Sequence, residues 1–211
     1  MAKINKALLS VSDKSGIVEF ARELAKHDIQ FISTGGTATI LRKNGMELMD
    51  VSDYTGYPEM MDGRVKTLHP RIHGGILGIR SNPEHVRQMD EYNIESIDMI
   101  VVNVRPLETL MQDHGPSISD VMNRIDIGGM ALLRSAAKNF ESVTVVIDSD
   151  DYSMVLDDLK KNNGSIALET NMELAVKVFN KTSQYDRLIS EYLHRYTAHN
   201  RSEVNYIEIP R

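Results

Sequence analysis

The chain has 211 residues, 41% of them apolar and 26% charged, which is enough for one domain with a sizeable core, or one large domain with a small appendage, without covalent staples. With 24 Lys and Arg against 30 Asp and Glu, a formal charge of -6 and no Trp, it lacks the basic field and the stacking platforms of a nucleic-acid binder. Cysteine is absent, which excludes disulfides, thiolate nucleophiles and Cys-ligated metals; with no secretory pattern and no run of ~20 apolar residues, the expected compartment is the cytosol.

Strand and helix signals alternate through the first half. Ala7 to Val11 is a short apolar strand. Ser12-Asp13 then offers a helix cap, and Ile17, Phe20, Ala21 and Leu24 follow at helical spacing. Ile29 to Ile32 predicts a second strand, Thr34-Gly35-Gly36-Thr37 a turn into a helix carrying Ile40 and Leu41, and Met46 to Val51 a third, shorter strand. Ile97 to Val104 is the clearest strand, its apolar run nearly continuous, as burial on both faces requires. Val143 to Ile147 is another. Strands separated by helices predict a doubly wound, mostly parallel α/β sheet flanked by helices. Asp150 to Lys161 is predicted helical. Met172, Ala175, Val176, Phe179, Leu188, Ile189 and Tyr192 predict one long C-terminal helix with an apolar stripe. The expected organisation is a domain over residues 1–196 and a polar tail or arm over 197–211.

In an open α/β sheet, ligands bind beyond the carboxyl ends of the strands, and four segments fall at such places. Ser12-Asp13-Lys14-Ser15-Gly16 follows the first strand; free N–H groups and a Lys charge suit a phosphate, although a capped helix with a surface Lys has the same spacing. Thr34-Gly35-Gly36-Thr37 follows the second strand. It is neither a Walker loop nor the three-glycine dinucleotide fingerprint, but its glycines allow close backbone approach and its hydroxyls can donate to phosphate oxygens. The third segment, Gly63 to Gly75, concentrates Arg64, Lys66 and Arg71 in an acidic chain; Arg can fork onto an anion and Lys can meet a developing oxyanion. His69 and His73 are four apart, but no Glu lies between them in the zincin arrangement and no third ligand is evident, so hydrogen bonding or substrate contact is expected of both, not metal binding. In the fourth, Asp126 precedes Gly128-Gly129 and can sit at a helix start. Lys138 lies nine residues past Gly129, ~13 Å along a straight helix, and meets Asp126 only if that helix is short, bent back, or supplied by a partner subunit.

Together the strings Leu9 to Lys14, Thr34 to Thr37, Pro58 to Pro70, His73 to Leu77, Asn103 to Pro106, Ile125 to Gly129 and Arg134 to Asn139 resemble the IMP cyclohydrolase domain of the bifunctional purine-biosynthesis enzymes, in order and at family-like spacing from about residue 7 to about residue 192. The resemblance implies a methylglyoxal-synthase-like fold. It implies closure of 5-formamidoimidazole-4-carboxamide ribotide (FAICAR) to inosine monophosphate (IMP) plus water, with no cofactor and no metal. It assigns catalysis to Lys66, Asp126, Lys138 and the position of Arg105. Substrate contacts fall to Ser12, Asp13, Lys14, Thr34, Gly35, Gly36 and Thr37 at the phosphate and ribose, and to Arg64, Val65, Thr67, Val102, Asn103, Ile127 and Gly128 around the base. The family's usual second domain, the AICAR transformylase, does not follow within these residues, so the chain is a stand-alone cyclohydrolase or part of a longer protein, and a separate transformylase is a candidate pathway partner. A homodimer is expected, with no nucleic-acid or membrane partner.

One departure stands out. The family commonly has Asn-Leu-Tyr-Pro-Phe where this chain has Asn103-Val104-Arg105-Pro106-Leu107. Arg can donate hydrogen bonds and stabilise negative charge, but it does not release a proton near neutral pH. Two rival functions share the fold: methylglyoxal synthase, and a non-catalytic nucleotide sensor such as the regulatory domain of carbamoyl-phosphate synthetase. The synthase needs neither the Gly63–Gly75 string nor the Asp126–Lys138 segment, and the sensor reading predicts tight IMP binding with no turnover.

Overall fold

The structure, a computed structural model, describes residues 3–107 and 117–201. Among them five strands form one all-parallel sheet in the order β3-β2-β1-β4-β5. The strands are β1 (Lys6–Val11), β2 (Gln30–Ser33), β3 (Met49–Asp50), β4 (Met99–Asn103) and β5 (Thr144–Val146). The chain winds outward from β1 through β2 to β3, then returns to lay β4 on the other side of β1. Strand order therefore reverses between β1 and β4, the kind of place beyond whose strand ends open α/β sheets bind ligands. The central strands are sealed on both faces: Leu8, Leu9, Met99 and Ile100 have no exposed surface. Each such side chain contributes roughly 1.5–3 kcal/mol of burial.

The helices are α1 (Ile17–Ala25), α2 (Gly35–Lys43), α3 (Val51–Thr55), α4 (Pro70–Leu77), α5 (Pro83–Glu91), α6 (Ile118–Arg124), α7 (Gly128–Lys138), α8 (Tyr152–Lys161) and α9 (Leu168–Arg201). The described residues divide into two compact units. One holds the residues up to Arg105 with Asp126–Asn180; the other holds the described residues between Pro106 and Ile125 and those from Lys181 onward. The sheet and every candidate site residue lie in the first. There Tyr152 of α8 stacks on Phe20 of α1 with ring centroids 4.1 Å apart, and Thr144 in β5 donates to Asn171 of α9 at 2.8 Å. In the second unit α6 opens on a capping box, Ser117 with Asp120, and buries Val121.

Two local expectations are corrected. Ser12-Asp13 does not cap α1: the helix begins at Ile17 behind a left-handed Gly16, while the Asp13 carboxylate accepts from the N–H and hydroxyl of Ser15. The third strand shrinks to Met49–Asp50, because Val51 already opens α3. In the long helix the first unit buries Asn171, Leu174, Ala175 and Val178, whereas Met172, Val176 and Phe179 stand about half exposed. Two apolar stripes share that helix, and the one carrying Leu174 and Val178 faces the sheet. Helical order reaches Arg201, so residues 197–201 continue α9; the rest of the expected tail lies outside the described residues.

Candidate active site

At the strand-order reversal the main chain leaving β1 and the main chain leaving β4 are tied together. Asn103, the last residue of β4, accepts at Oδ1 from the N–H groups of Ser12 (2.6 Å) and Asp13 (2.9 Å), and its Nδ2 donates to the Asp13 carbonyl at 3.0 Å. One amide thereby shapes the whole Ser12–Lys14 loop. The Thr37 hydroxyl, buried in the first turn of α2, donates to the Val11 carbonyl and accepts from the Val11 N–H, each at 3.0 Å, which ties α2 to the end of β1. Thr34 precedes α2 in extended conformation and makes no side-chain cap. The first N–H groups of this nine-residue helix therefore face outward with the positive end of its dipole.

Two lysines converge on that helix start. A Cβ built on Gly36 would stand 3.7 Å from Lys14 Cε, and one on Gly35 would stand 3.8 Å from Lys66 Nζ. Gly35 has φ +56, a left-handed conformation that favours glycine and lets the Lys66 ammonium approach the backbone. Lys66 pairs with Glu59 at 2.9 Å, and both line a small cavity of about 70 Å³ with Thr34, Gly35, Ser52 and Tyr57. The Lys14 ammonium donates to the carbonyls of Val11 and Ser12. Burial first, and then the charge of Arg105, hold its pKa below the usual lysine range, with Asp13 acting in the opposite direction. Asp13 is itself held below the usual carboxylate range, first by the Ser15 hydroxyl and then by the Ser15 N–H.

On the far side of Lys66 the chain meets the start of α7. Thr67 Oγ1 sits 2.6 Å from where a Gly128 Cβ would be, so a larger residue there would require Thr67 to shift. Asp126 accepts from the Gly129 N–H at 2.7 Å and so serves the helix start as expected of an Asp before two glycines. Below Thr67, α4 and α7 run side by side. His73 Nδ1 lies 3.1 Å from the Ser135 hydroxyl, and the Asn139 amide donates to the carbonyls of Ile76 (2.7 Å) and Gly78 (3.2 Å). His69 caps α4 by accepting from the Arg71 N–H, and Pro70 occupies the first helical position. The two histidines thus have separate hydrogen-bonding duties. Among the described residues no group of three His, Asp or Glu side chains is placed to hold a metal ion.

Comparison with known proteins bears on this arrangement. The family model described as the MGS-like domain matches residues 16–131, more than half of the chain. The chain belongs to the MGS-like domain family. A second model, the AICARFT/IMPCHase bienzyme, matches residues 136–209. The chain is 53% identical over 193 residues to the bifunctional purine biosynthesis protein PurH of Magnetococcus marinus, covering 92% of this chain and 36% of that protein. It is likewise 53% identical over 190 residues to PurH of Chlorobium phaeobacteroides, covering 90% of this chain and 36% of that protein. The chain therefore spans about a third of the length of these relatives. Among solved structures it is similar to the crystal structure of ForH, at 35% identity and a TM-score of 0.82, over 90% of this chain and 97% of that one.

Within this MGS-like domain the sequence-chosen residues fall into three groups. Ser12, Asp13, Lys14, Thr34, Gly35, Gly36, Thr37, Asn103 and Arg105 gather at the ends of β1 and β4 and the start of α2. Lys66, Thr67, Asp126 and Gly128 form a second line beside them, with Arg64, Val65 and Ile127 exposed next to it. Val102 is sealed in β4 at 2% exposure, so it offers only main chain. Lys138 stands apart. It is exposed on the last turn of an unbroken eleven-residue helix, ten residues past Gly128 and so about 15 Å along the axis. A short or bent helix, the two routes by which it could have met Asp126 in one chain, is not what forms. Sequence reasoning missed Glu59, the partner of Lys66, and the pairing of His73 with Ser135. A larger cavity of about 580 Å³ beside α5 contains none of these residues. Its two arginines already serve carbonyls: Arg80 those of Gly75 and Ile97, and Arg71 that of Asn93.

Proposed function

We propose that this chain is an IMP cyclohydrolase, closing FAICAR to IMP and water. The observation that carries this reading is the convergence of two lysine-bearing loops, Ser12–Lys14 and Gly63–Thr67, on the open first turn of α2, with the Asp126 helix start beside the second. The identity to PurH over nine-tenths of the chain supports the same reading.

In the reaction the carboxamide nitrogen bonds to the formyl carbon, and the formyl oxygen leaves as water with one proton from the carboxamide and one from the formamide nitrogen. The amide is a poor nucleophile, so holding both groups in attack geometry supplies a large part of the acceleration. In this reading Ser12, Lys14, Thr34 and the first-turn N–H groups of Gly35, Gly36 and Thr37 hold the phosphate and ribose, the Thr37 hydroxyl being spent on Val11. Arg64, Val65, Thr67, Asn103, Ile127, Gly128 and the main chain of Val102 border the base. Lys66, oriented by Glu59, stabilises the oxygen of the tetrahedral intermediate and protonates it on departure. Asp126, oriented by the Gly129 N–H, accepts the carboxamide proton. No prosthetic group is invoked.

The reading includes a cytoplasmic homodimer, in which Lys138 acts on the pocket of the other copy. Exposed Leu168, Met172 and Val176, spaced four apart on α9, supply an apolar surface for such pairing. Among the described residues no helix is long and apolar enough to cross a membrane. The test is a spectrophotometric assay of purine-ring formation from FAICAR. Turnover to IMP is expected. Binding of IMP without turnover would favour the nucleotide sensor, and formation of methylglyoxal from dihydroxyacetone phosphate would favour the synthase; either result overturns the proposal.

A further inference from the structure

We propose that Arg105 is a ligand of the substrate's phosphate and sets selectivity for the phosphorylated form, instead of donating a hydrogen bond at the carbon where the ring closes. The inference rests on the cyclohydrolase reading of the pocket and deepens it. Arg105 comes two residues after the end of β4, directly across the strand-order reversal from the loop that follows β1. Asn103 fixes that crossing by holding the Ser12 and Asp13 main chain, so the segment that carries Arg105 leaves the sheet next to the loop that carries Lys14. It is close enough for its charge to bear on the Lys14 ammonium.

The charge balance separates two ends of the pocket. Lys66 has a carboxylate partner in Glu59. Among the described residues neither Lys14 nor Arg105 forms an ion pair. The nearest acid, Asp13, turns its carboxylate onto Ser15. Lys14 stands beside the uncapped first turn of α2, which carries a further partial positive charge, and the charge of Arg105 bears on the same lysine. A dianion placed among them relieves the repulsion and receives a planar, bidentate guanidinium. The formyl and carboxamide groups are neutral and bring no such compensation. A guanidinium also keeps its proton at neutral pH, so it is poorly suited to the reacting centre.

The experiment compares steady-state kinetics of the intact chain with Arg105→Gln and Arg105→Lys, using inorganic phosphate as a competitive probe. Arg105 is exposed, and the melting temperature of each variant confirms that it folds. Loss of one charged ligand predicts that Arg105→Gln raises KM and the inhibition constant for phosphate by at least about tenfold each, with the smaller effect in kcat, while Arg105→Lys retains most phosphate inhibition. A fall in kcat with KM and phosphate inhibition unchanged overturns the assignment. Wild-type protein without turnover defeats the cyclohydrolase reading by itself. In that case titration with IMP and with inosine decides on Arg105: preference for the phosphorylated ligand lost in Arg105→Gln upholds it, and preference retained overturns it.

Discussion

Thr67 and Gly128 meet so tightly that the contact fixes where the neighbouring Lys66 can stand. A methyl group on Gly128 would stand 2.6 Å from Thr67 Oγ1, too close for both to stay, so Gly128→Ala must displace the Thr67 side chain or the loop that carries it. Displacement of a reacting group by an ångström costs about a hundredfold in rate. A fall of that order in kcat/KM is therefore expected of Gly128→Ala, with little change in the denaturation midpoint; unchanged kinetics would show that the loop is not held there. His73 stands one layer below. Burial holds its pKa below the usual histidine range, against a smaller opposing contribution from the Thr67 main chain. Because the folded state prefers neutral His73, the unfolded chain binds more protons as pH falls through the ordinary histidine range. The stability due to this preference is complete above about pH 6.5 and declines as the solution is acidified below it. Urea denaturation of wild type and His73→Gln between about pH 5 and 7.5 should show a shallower loss on the acid side in the variant. Parallel curves would mean that His73 is not held neutral by the fold.

At the scale of elements, α4 and α7 form the unit that carries Thr67 at one end and Asn139 at the other. Asn139 is 9% exposed and donates to two carbonyls at the end of α4. Asn139→Ala leaves those carbonyls without their donor in a buried place, a loss of roughly 1–3 kcal/mol. The expected result is a clear drop in the denaturation midpoint; a change below about 0.5 kcal/mol, typical of a neutral surface substitution, would deny the tie its role. The same elements show what could be read from sequence and what could not. The central strands were legible because full burial on both faces writes an unbroken apolar run, as in Met99 to Val102. The edge strand at Met49 has no such run. The start of α1 misled because Asp13 makes the bond of a cap, but to Ser15, before any helix has begun. In α9 periodicity alone could not choose between the stripe of Leu174 and Val178 and that of Met172 and Val176, since both recur at helical spacing. The candidate site was legible where function follows strand ends, at Ser12–Lys14 and Thr34–Thr37. Glu59 was not, because a carboxylate seven residues before its lysine lies about 10 Å from it along a helix and on the opposite face of a strand, and the pairing exists only once the loop has turned back.

At the scale of the whole molecule the position of Lys138 becomes an argument about assembly. A lysine at the end of α7, about 15 Å beyond Gly128, cannot serve the Asp126 of its own chain through a rigid helix. A two-fold partner could bring its own Lys138 to that pocket, since a closed dimer repeats each contact twice. The prediction uses two inactive variants, Lys66→Ala and Lys138→Ala, each purified alone and then mixed under conditions that exchange subunits. In a mixed dimer, one pocket contains both defects and the other contains neither. Random exchange makes half of the dimers mixed, with one intact pocket of two, so activity should return to roughly a quarter of wild type. If Lys138 instead worked within its own chain, both pockets of every mixed dimer would carry one defect and no activity would return. A mixture that stays inactive although light scattering shows dimers and subunit exchange is demonstrated would remove the partner from the mechanism. Should Lys138→Ala alone retain full turnover, the lysine would be no more than the favourable positive charge at a helix end.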